Sequence, residues 1–579
     1  MSEPDPFGAW MSRALNRFHA RAGAFSVPAT AFLSQPEPRT IGLYARGKQL
    51  IAGNFLLAGQ LIEGERKEFW ELPTASPEFR MEAHGFAWLD DLASVGDKDA
   101  RACAQTWLWQ WIDRYGSGSG PGWTPELTGR RLIRWVNHAL FVLQNTEKHE
   151  SDAFFRSLAH QTRFLAKRWS AARPGLARFE ALTGLIYTAL SLEGMQHHAD
   201  PAIKALAREC AAQIDTDGGL PTRNPEELLE VFTLLNWAAL ALREASREVS
   251  AAHETAIERI APTLRTLRHS DGALARFHGG GKGLEGRLDK ALATSGIKKR
   301  NADGLSMGFA RLSAGRTSII VDAARPPQGK ASYNAHASTL AFELTSGRRP
   351  LIVNCGSGAC FGADWRRAGR ATPSHSTLCL DGTSSSRLSR PARDGSELIS
   401  SGPGHVPIEI SHAPDGIRFQ GGHDGWVKSH GITHARTLEL TFDGRGLAGE
   451  DMLFAVEEAD RATFKKALAN ALEPGILFQI RFHLHPEVDA EIDMGGAAIS
   501  LALRSGEVWV LRTDASAEMT LEPSVYLETG RLKPRATKQV VLTSRAMEYA
   551  TRIRWSLANA QESAVAIRDI QRDELELNT

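Results

Sequence analysis

The sequence predicts an α-then-β chain, with stacked helical hairpins in the first half and an antiparallel β-sandwich in the second. Two observations carry this. From about residue 84 to 270, apolar residues recur at helical spacing with only short loops between the stripes. Beyond residue 300 the period falls to two, in short runs punctuated by Gly, Asp and Pro. At 579 residues the chain is too long for one hydrophobic core, so two domains are expected, 1–300 and 301–579.

The N-terminal elements follow in order. A short helix is expected near Trp10–Ala24, followed by Pro- and Gly-punctuated segments. H-G-F-A-W-L-D-D-L leads into a helix with Trp107 and Trp111 on one face, and G-S-G-S-G-P-G breaks it at 116–122. The next helix carries G-R-R-L-I-R-W-V-N-H-A-L-F-V-L, with Asn137 and His138 in a capping, core or groove role. Another holds Phe154, Phe155, Leu158, Leu165 and Trp169. Leu182, Leu185, Ile186, Ala189 and Leu190 form a buried stripe. Asn224-Pro225 supplies a cap and a first-turn proline for the helix bearing Leu228, Val231, Phe232 and Leu235. A last helix spans roughly 251–269. No strand alternation interrupts these helices, which argues for stacked hairpins.

The character changes at H-G-G-G-K-G and Lys298-Lys299-Arg300. Strands are expected around Ile319 and Val321, over Phe478–Leu484, at Val508–Leu511 and at Val540–Leu542. A further pair is expected in Ser332–Asp381, with Leu340, Phe342 and Leu344 on one face and Thr339, Ala341 and Glu343 on the other.

Composition narrows the function classes. With 42% hydrophobic and 23% charged residues the chain is ordinary for a soluble globular protein, and a net charge of +1 gives no bulk attraction for nucleic acid or a membrane surface. Five cysteines, Cys103, Cys210, Cys355, Cys360 and Cys379, form no disulfide framework and suit a reducing compartment. No signal peptide or transmembrane run is evident, so a cytoplasmic location is expected. Fourteen Trp either line a carbohydrate groove or fill the core.

Several constellations compete for the site. His336, Asn354 and His375 lie at neighbouring strand ends, where imidazole and amide groups can converge for metal binding or proton transfer. The alternative is a pair of buried, hydrogen-bonded histidines. His483 and His485 have chelate spacing but read better as solvent- or sheet-facing polar residues. Asp215–Gly218 reads as a turn, not a calcium loop. The G-G-G-K-G at 279–283 lacks the context of a phosphate loop. Arg223 and Asn224, in an inter-helix loop, offer the cation and amide that a carboxylated sugar needs; capping by Asn224 is the alternative.

Ordered motifs then resemble a known family. S-Y-N-A-H-A-S-T-L-A-F-E-L, G-R-R-P-L-I-V-N-C-G and R-A-T-P-S-H-S-T-L-C-L-D-G are similar to the signature of heparinase II/III polysaccharide lyases. G-H-D-G-W, G-I-T-H-A-R-T-L-E-L, R-F-H-L-H-P and L-E-P-S-V-Y extend the likeness, and H-G-F-A-W-L and G-R-R-L-I-R-W carry it into the helical half. The resemblance implies an (α/α) toroid followed by a β-sandwich. It also implies β-elimination beside a uronic acid, in which a base removes the proton next to a neutralised carboxylate. Carried over, it places a divalent ion (Zn or Mn) on His336, Asn354 and His375. It makes His336 the centre of catalysis, with Asn334 and Tyr333 beside it and Arg223 and Asn224 binding an acidic polysaccharide. The chain departs from the pattern at Asn334, where the first His is expected, at Asn354, where the metal-site Asp is expected, and at Ser338. The expected activity is therefore a lyase acting on an acidic polysaccharide. The alternative is a non-catalytic glycan-binding or scaffold protein linked to envelope polysaccharide. A glycoside hydrolase would need a carboxylate pair that the sequence does not single out. Family analogy allows a periplasmic location.

Overall fold

The computed structural model describes residues 6–23, 29–34, 37–65, 69–72, 74–299, 304–392 and 395–560. Helices dominate up to Ser295 and antiparallel strands from Leu305 onward. The first helix runs Pro6–Gly23, and a small hairpin, Asn54–Leu57 with Gln60–Glu63, precedes the main helical array. That array comprises Pro77–Gly85, Ala87–Val95, Lys98–Tyr115, Pro125–Asn137, Lys148–Arg168, Leu176–Ser191, Ala199–Gln213, Pro225–Glu244, Ala251–Thr266 and Arg287–Ser295.

Local chemistry explains the helix boundaries that matter. Asn224 Oδ1 accepts from the N–H groups of Glu226 and Glu227, and Pro225 fills the first helical position, so the helix start is pinned from both sides. The helix predicted through His138 breaks there and resumes as Ala139–Leu143. His138 instead lies 2.8 Å from Asp90, which also receives the Arg134 guanidinium. Helices Pro125–Asn137 and Leu176–Ser191 touch almost backbone to backbone. A Cβ on Gly129 would lie 2.2 Å from the Glu180 carbonyl oxygen, and one on Gly184 would lie 2.6 Å from Gly129 Cα. Only glycine allows that approach, which brings Arg130 against Glu180.

Most of the tryptophans resolve to core, with Trp10 and Trp365 exposed. Trp88, Trp107, Trp111 and Trp135 are all sealed, with Phe69 stacked on Trp107 at 4.3 Å between ring centroids. His84 belongs to this cluster, its Nδ1 accepting from Trp111 Nε1–H at 2.9 Å.

The C-terminal half contains two large sheets. One has eight strands in the spatial order Ile408–Ala413, Gly416–Trp426, Ile432–Thr441, Gly446–Phe454, Ala550–Asn559, Val508–Thr513, Ala498–Ala502 and Asp489–Asp493. The other runs Glu518–Tyr526, Arg535–Ala546, Ile476–Leu484, Arg349–Val353, Phe342–Ser346, Thr317–Asp322, Phe309–Ala314 and Leu305–Ser306, with Leu378–Leu380 also paired to Ile476–Leu484. Phe342, Phe482, Leu438, Trp509 and Trp555 share the core between them. Met307, Phe309, Ile320 and Ala341 belong instead to the helical core, so the second sheet packs on the helices as well as on its partner.

This double packing corrects one expectation. The alternation read from Thr339 to Leu344 does not separate buried from exposed, because both sets are buried. The strand itself begins only at Phe342, after a turn in which Ala341 N–H donates to the Ser338 carbonyl and Leu340 takes φ +65°. His483 is likewise buried, against the expectation of a solvent- or sheet-facing role. It is held by Ser524 at 2.7 Å and the Pro373 carbonyl at 2.9 Å. Among the described residues no helix is long and apolar enough to cross a membrane.

Two buried toroid histidines make stability pH-dependent. Burial, then Arg131, lowers the pKa of His84 to about 3, and burial lowers that of His253 to about 4 against the hydrogen bond to the Leu235 carbonyl. Both lie below the ordinary imidazole value near 6.5, so between these limits the unfolded chain binds the extra protons and stability falls as pH drops. Each group should remove about 1.4 kcal/mol per pH unit in that window. Urea midpoints at pH 7 and pH 5 should therefore decline, with a shallower decline in His84→Gln. A flat profile in the wild-type chain contradicts the neutral assignment.

Candidate functional site

Asp322 ends the Thr317–Asp322 strand and sits wholly buried where the two halves meet. Arg223, in the loop before the Pro225–Glu244 helix, reaches across to it. Its Nη2 donates to Asp322 Oδ1 at 2.6 Å and to the Gly308 carbonyl at 2.7 Å. Its Nε donates to Met307 O, and Nη1 to Ala324 O and Arg325 O. The guanidinium also lies over the Phe309 ring at 4.6 Å. Arg223 adopts φ +50°, a conformation that side chains rarely take, and these contacts hold it there. The placement corrects the substrate-binding expectation: the cation is consumed by the sandwich. Asn224 is corrected in the same way, since both its contacts are capping ones.

Asp322 also accepts from Ser338 Oγ at 2.7 Å and faces His278 Nε2 at 3.4 Å. Burial pushes its carboxyl up, but Arg223, then His278 and Ser338, outweigh that and hold it well below the usual range. Ser338 stands where the family pattern has an acid. A carboxylate there would face Asp322, whereas the hydroxyl donates to it.

The histidines continue the chain inward. His336 N–H donates to His278 Nδ1 at 3.2 Å, and His336 Nδ1 meets His375 Nε2 at 3.0 Å. His375 Nδ1 donates to the Ala371 carbonyl at 2.9 Å, which leaves its Nε2 as the acceptor for the His336 proton. All three rings are buried, His336 at 3% exposure and His375 at 0%. Burial, then His375 and His278, holds His336 well below its ordinary value, and burial lowers His375 to about 4.

Asn354, at the end of the Arg349–Val353 strand, accepts from Ser376 N–H at 3.0 Å. It turns its Nδ2 toward Glu343 at 3.4 Å. Glu343 in turn accepts from Arg276 N–H and lies 3.2 Å from His269. The structure thus gathers His336, His375 and Asn354, but as hydrogen-bonded neutral groups. Two imidazoles engaged with each other and a carboxamide engaged at both ends do not fit a divalent ion, which needs free lone pairs and an offsetting negative charge. Among the described residues no three His, Cys, Asp or Glu side chains are grouped to hold a metal.

Tyr333 and Asn334 lie apart from this buried chain, half-exposed on the Gly329–Asn334 turn at the edge of the toroid. Tyr333 Oη donates to Glu227 Oε2 at 3.3 Å, and the Arg173 guanidinium stacks on its ring at 4.7 Å. Burial, then Glu227, raises the phenol pKa, so it keeps its proton. Asn334 Oδ1 accepts from Arg366 Nη2 at 3.0 Å, and the same nitrogen holds the Tyr333 carbonyl.

Sequence reasoning missed His278, Asp322, Glu227 and Glu180. His278 stood in H-G-G-G-K-G, a segment read for its glycines. Glu226 and Glu227 followed the Asn-Pro cap, which was a signal that the first turn would be held in place.

Removing one partner of the Arg223–Asp322 pair leaves a buried charge. Arg223→Met should cost about 3–5 kcal/mol and split thermal unfolding into two calorimetric transitions; a single transition at the wild-type temperature speaks against the anchor. For the metal question, Asn354→Asp restores a carboxylate and should raise the zinc or manganese retained after dialysis. Wild-type protein that already carries one equivalent, lost in His336→Ala, overturns the assigned donor set.

Comparison with known proteins agrees with this architecture. Residues 296–556 match the family described as Heparinase II/III-like, C-terminal. The chain is 31% identical over 531 residues to the FtsZ-localized protein C of Caulobacter vibrioides, covering 89% of this chain and 88% of that one. Among solved structures, heparinase III superposes with a TM-score of 0.68 at 12% identity, covering 95% of this chain and 89% of the other. A heparan sulfate lyase mutant from Pedobacter heparinus gives 0.56 at 14% identity, covering 95% and 88%. The chondroitin AC lyase of Streptomyces coelicolor A3, in complex with chondroitin sulphate, gives 0.52 at 9% identity, covering 96% and 83%. At these identities the superpositions establish the shared fold. With an (α/α) toroid, a β-sandwich and a full-length relative, the chain belongs to the heparinase II/III-like family.

Proposed function

We propose that this protein is a glycan-binding scaffold built on the lyase fold, linked to envelope polysaccharide, and that it does not work by the family's histidine-based β-elimination. The observation that carries the proposal is the sealing of the histidines. A general base must come within hydrogen-bond reach of the proton it removes. His278, His336 and His375 are buried and bonded to one another or to backbone, out of reach of a substrate proton. The half-exposed residues next to them in sequence are Tyr333, whose raised pKa disfavours the phenolate, and Asn334, whose amide cannot serve as a base.

Lyase activity on an acidic polysaccharide is the reading that the family resemblance favours, and the fold shared with polysaccharide lyases supports glycan binding under either reading. The relative named for its localisation with FtsZ supports a role connected to that protein. The free cysteines Cys103, Cys210, Cys355, Cys360 and Cys379 support a reducing compartment.

The deciding assay incubates the purified chain with a panel of uronate-containing polymers and follows ultraviolet absorbance from unsaturated ends. No rise over buffer is expected, with glycan binding seen by affinity electrophoresis. Unsaturated product that disappears in His336→Ala restores the lyase reading, and the absence of any glycan binding rejects the scaffold reading.

A further inference from the structure

We infer that the first helix, Pro6–Gly23, docks this protein on an anionic lipid surface through its outward face. None of the histidine-site residues lies on this helix, and vesicles that carry no glycan test it independently of the glycan-binding reading.

A helix that packs on a globular core turns its large apolar side chains inward. This one does the reverse. Its buried residues, among those described, are Asn16 and Ala20. Asn16 Oδ1 accepts from Arg168 Nε at 2.7 Å, and the Ala20 carbonyl meets His160 Nε2, so the Lys148–Arg168 helix holds the inner face by polar contacts. Trp10, Met11, Leu15 and Phe18 are exposed, Trp10 at 59% and Phe18 at 64%. Met11, Ala14, Leu15, Phe18 and Ala22 recur at i, i+3, i+4, i+7 and i+11, an apolar stripe on the side opposite Asn16 and Ala20. Single exposed apolar residues are ordinary, whereas a continuous stripe marks a surface that another body covers.

Charge indicates what covers it. Arg13, Arg17 and Arg21 follow at i, i+4 and i+8 beside the stripe, all exposed, and the helix carries no Asp or Glu. None of the three is paired with a carboxylate among the described residues. This local field does not show in the chain's net charge of +1. A row of guanidiniums beside an apolar stripe suits phosphate head groups, because the stems lie along apolar surface while the forks reach phosphate oxygens. Trp10 at the boundary is the residue type that sits at head-group depth. The open depression over this face, about 570 Å³, is lined from Trp10 to Ala22 by this one helix. With no facing wall among the described residues, the face suits a plane; an acidic peptide would need a groove. The helix is 18 residues, about 27 Å, and is not apolar enough to cross a membrane, so it lies along the surface.

The test is co-sedimentation of the full chain with vesicles of phosphatidylcholine alone and of equal parts phosphatidylcholine and phosphatidylglycerol. Wild-type protein should pellet with the anionic vesicles and stay in solution with the zwitterionic ones, and added salt should weaken the binding. Each arginine near an anionic surface contributes roughly fivefold in affinity, so Arg13→Gln, Arg17→Gln and Arg21→Gln combined should weaken binding about a hundredfold. Lysine at the same three positions should restore it, which a misfolded chain would not show. Phe18→Ser, at an exposed position that leaves the core intact, should weaken binding about tenfold. No binding to the anionic vesicles, or equal binding to both kinds, overturns the proposal. So does undiminished binding in the glutamine or Phe18→Ser variants, or a lysine variant that fails to bind. Binding to polyglutamate in place of vesicles, lost in the glutamine variant, gives the face to an acidic protein segment and overturns the lipid assignment.

Discussion

The structure depends on one buried ion pair. Arg223 leaves the helical half, crosses the interface and ends on Asp322, with four sandwich carbonyls completing its coordination. Its role is geometric as much as energetic, because a planar fork with fixed donors accepts one arrangement of partners. Asp322 passes that constraint to His278 and Ser338, and His278 passes it to the backbone of His336. This line of contacts ties the sandwich to the toroid.

The same line shows what the signature residues do inside the fold. Histidines at 336 and 375 cross-link the turn before the Phe342–Ser346 strand to the segment before Leu378–Leu380. Asn354 ties the end of a third strand to Ser376. A metal would serve the same bracing purpose in a set with a carboxylate. Here neutral hydrogen bonds do so, and the amide at 354 avoids placing a second buried negative charge beside Glu343.

The polar contacts around Glu180 and Tyr333 are organised separately, from the toroid side. Gly129 against Gly184 brings two helices into contact and sets Arg130 on Glu180, while the Asn224 cap directs Glu226 to the Gly281 N–H and Glu227 to Tyr333. These are local packing decisions far from the sandwich signature. They do not depend on the signature strands, so the two halves of the fold can diverge separately.

Much of the architecture was legible in the chain. The 3.6-residue stripes of Leu182–Leu190 and Leu228–Leu235 and the two-residue alternation of Phe478–Leu484 report local burial, which side-chain periodicity records directly. Asn224-Pro225 announced a helix start for the same reason: capping is a contact between near neighbours. What sequence could not decide was where long polar side chains end. Arg223 read as a groove cation because nothing local says that its partner lies 99 residues away at Asp322. Glu180 and Glu227 were invisible because single charges carry no periodicity, and His336 and His375 read as converging without revealing that they meet each other. Sequence by itself determined the class, the order of the domains and the segments that converge. Tertiary structure alone decided which of those polar groups pair with one another inside the fold, because that depends on contacts between distant residues and on the burial they create.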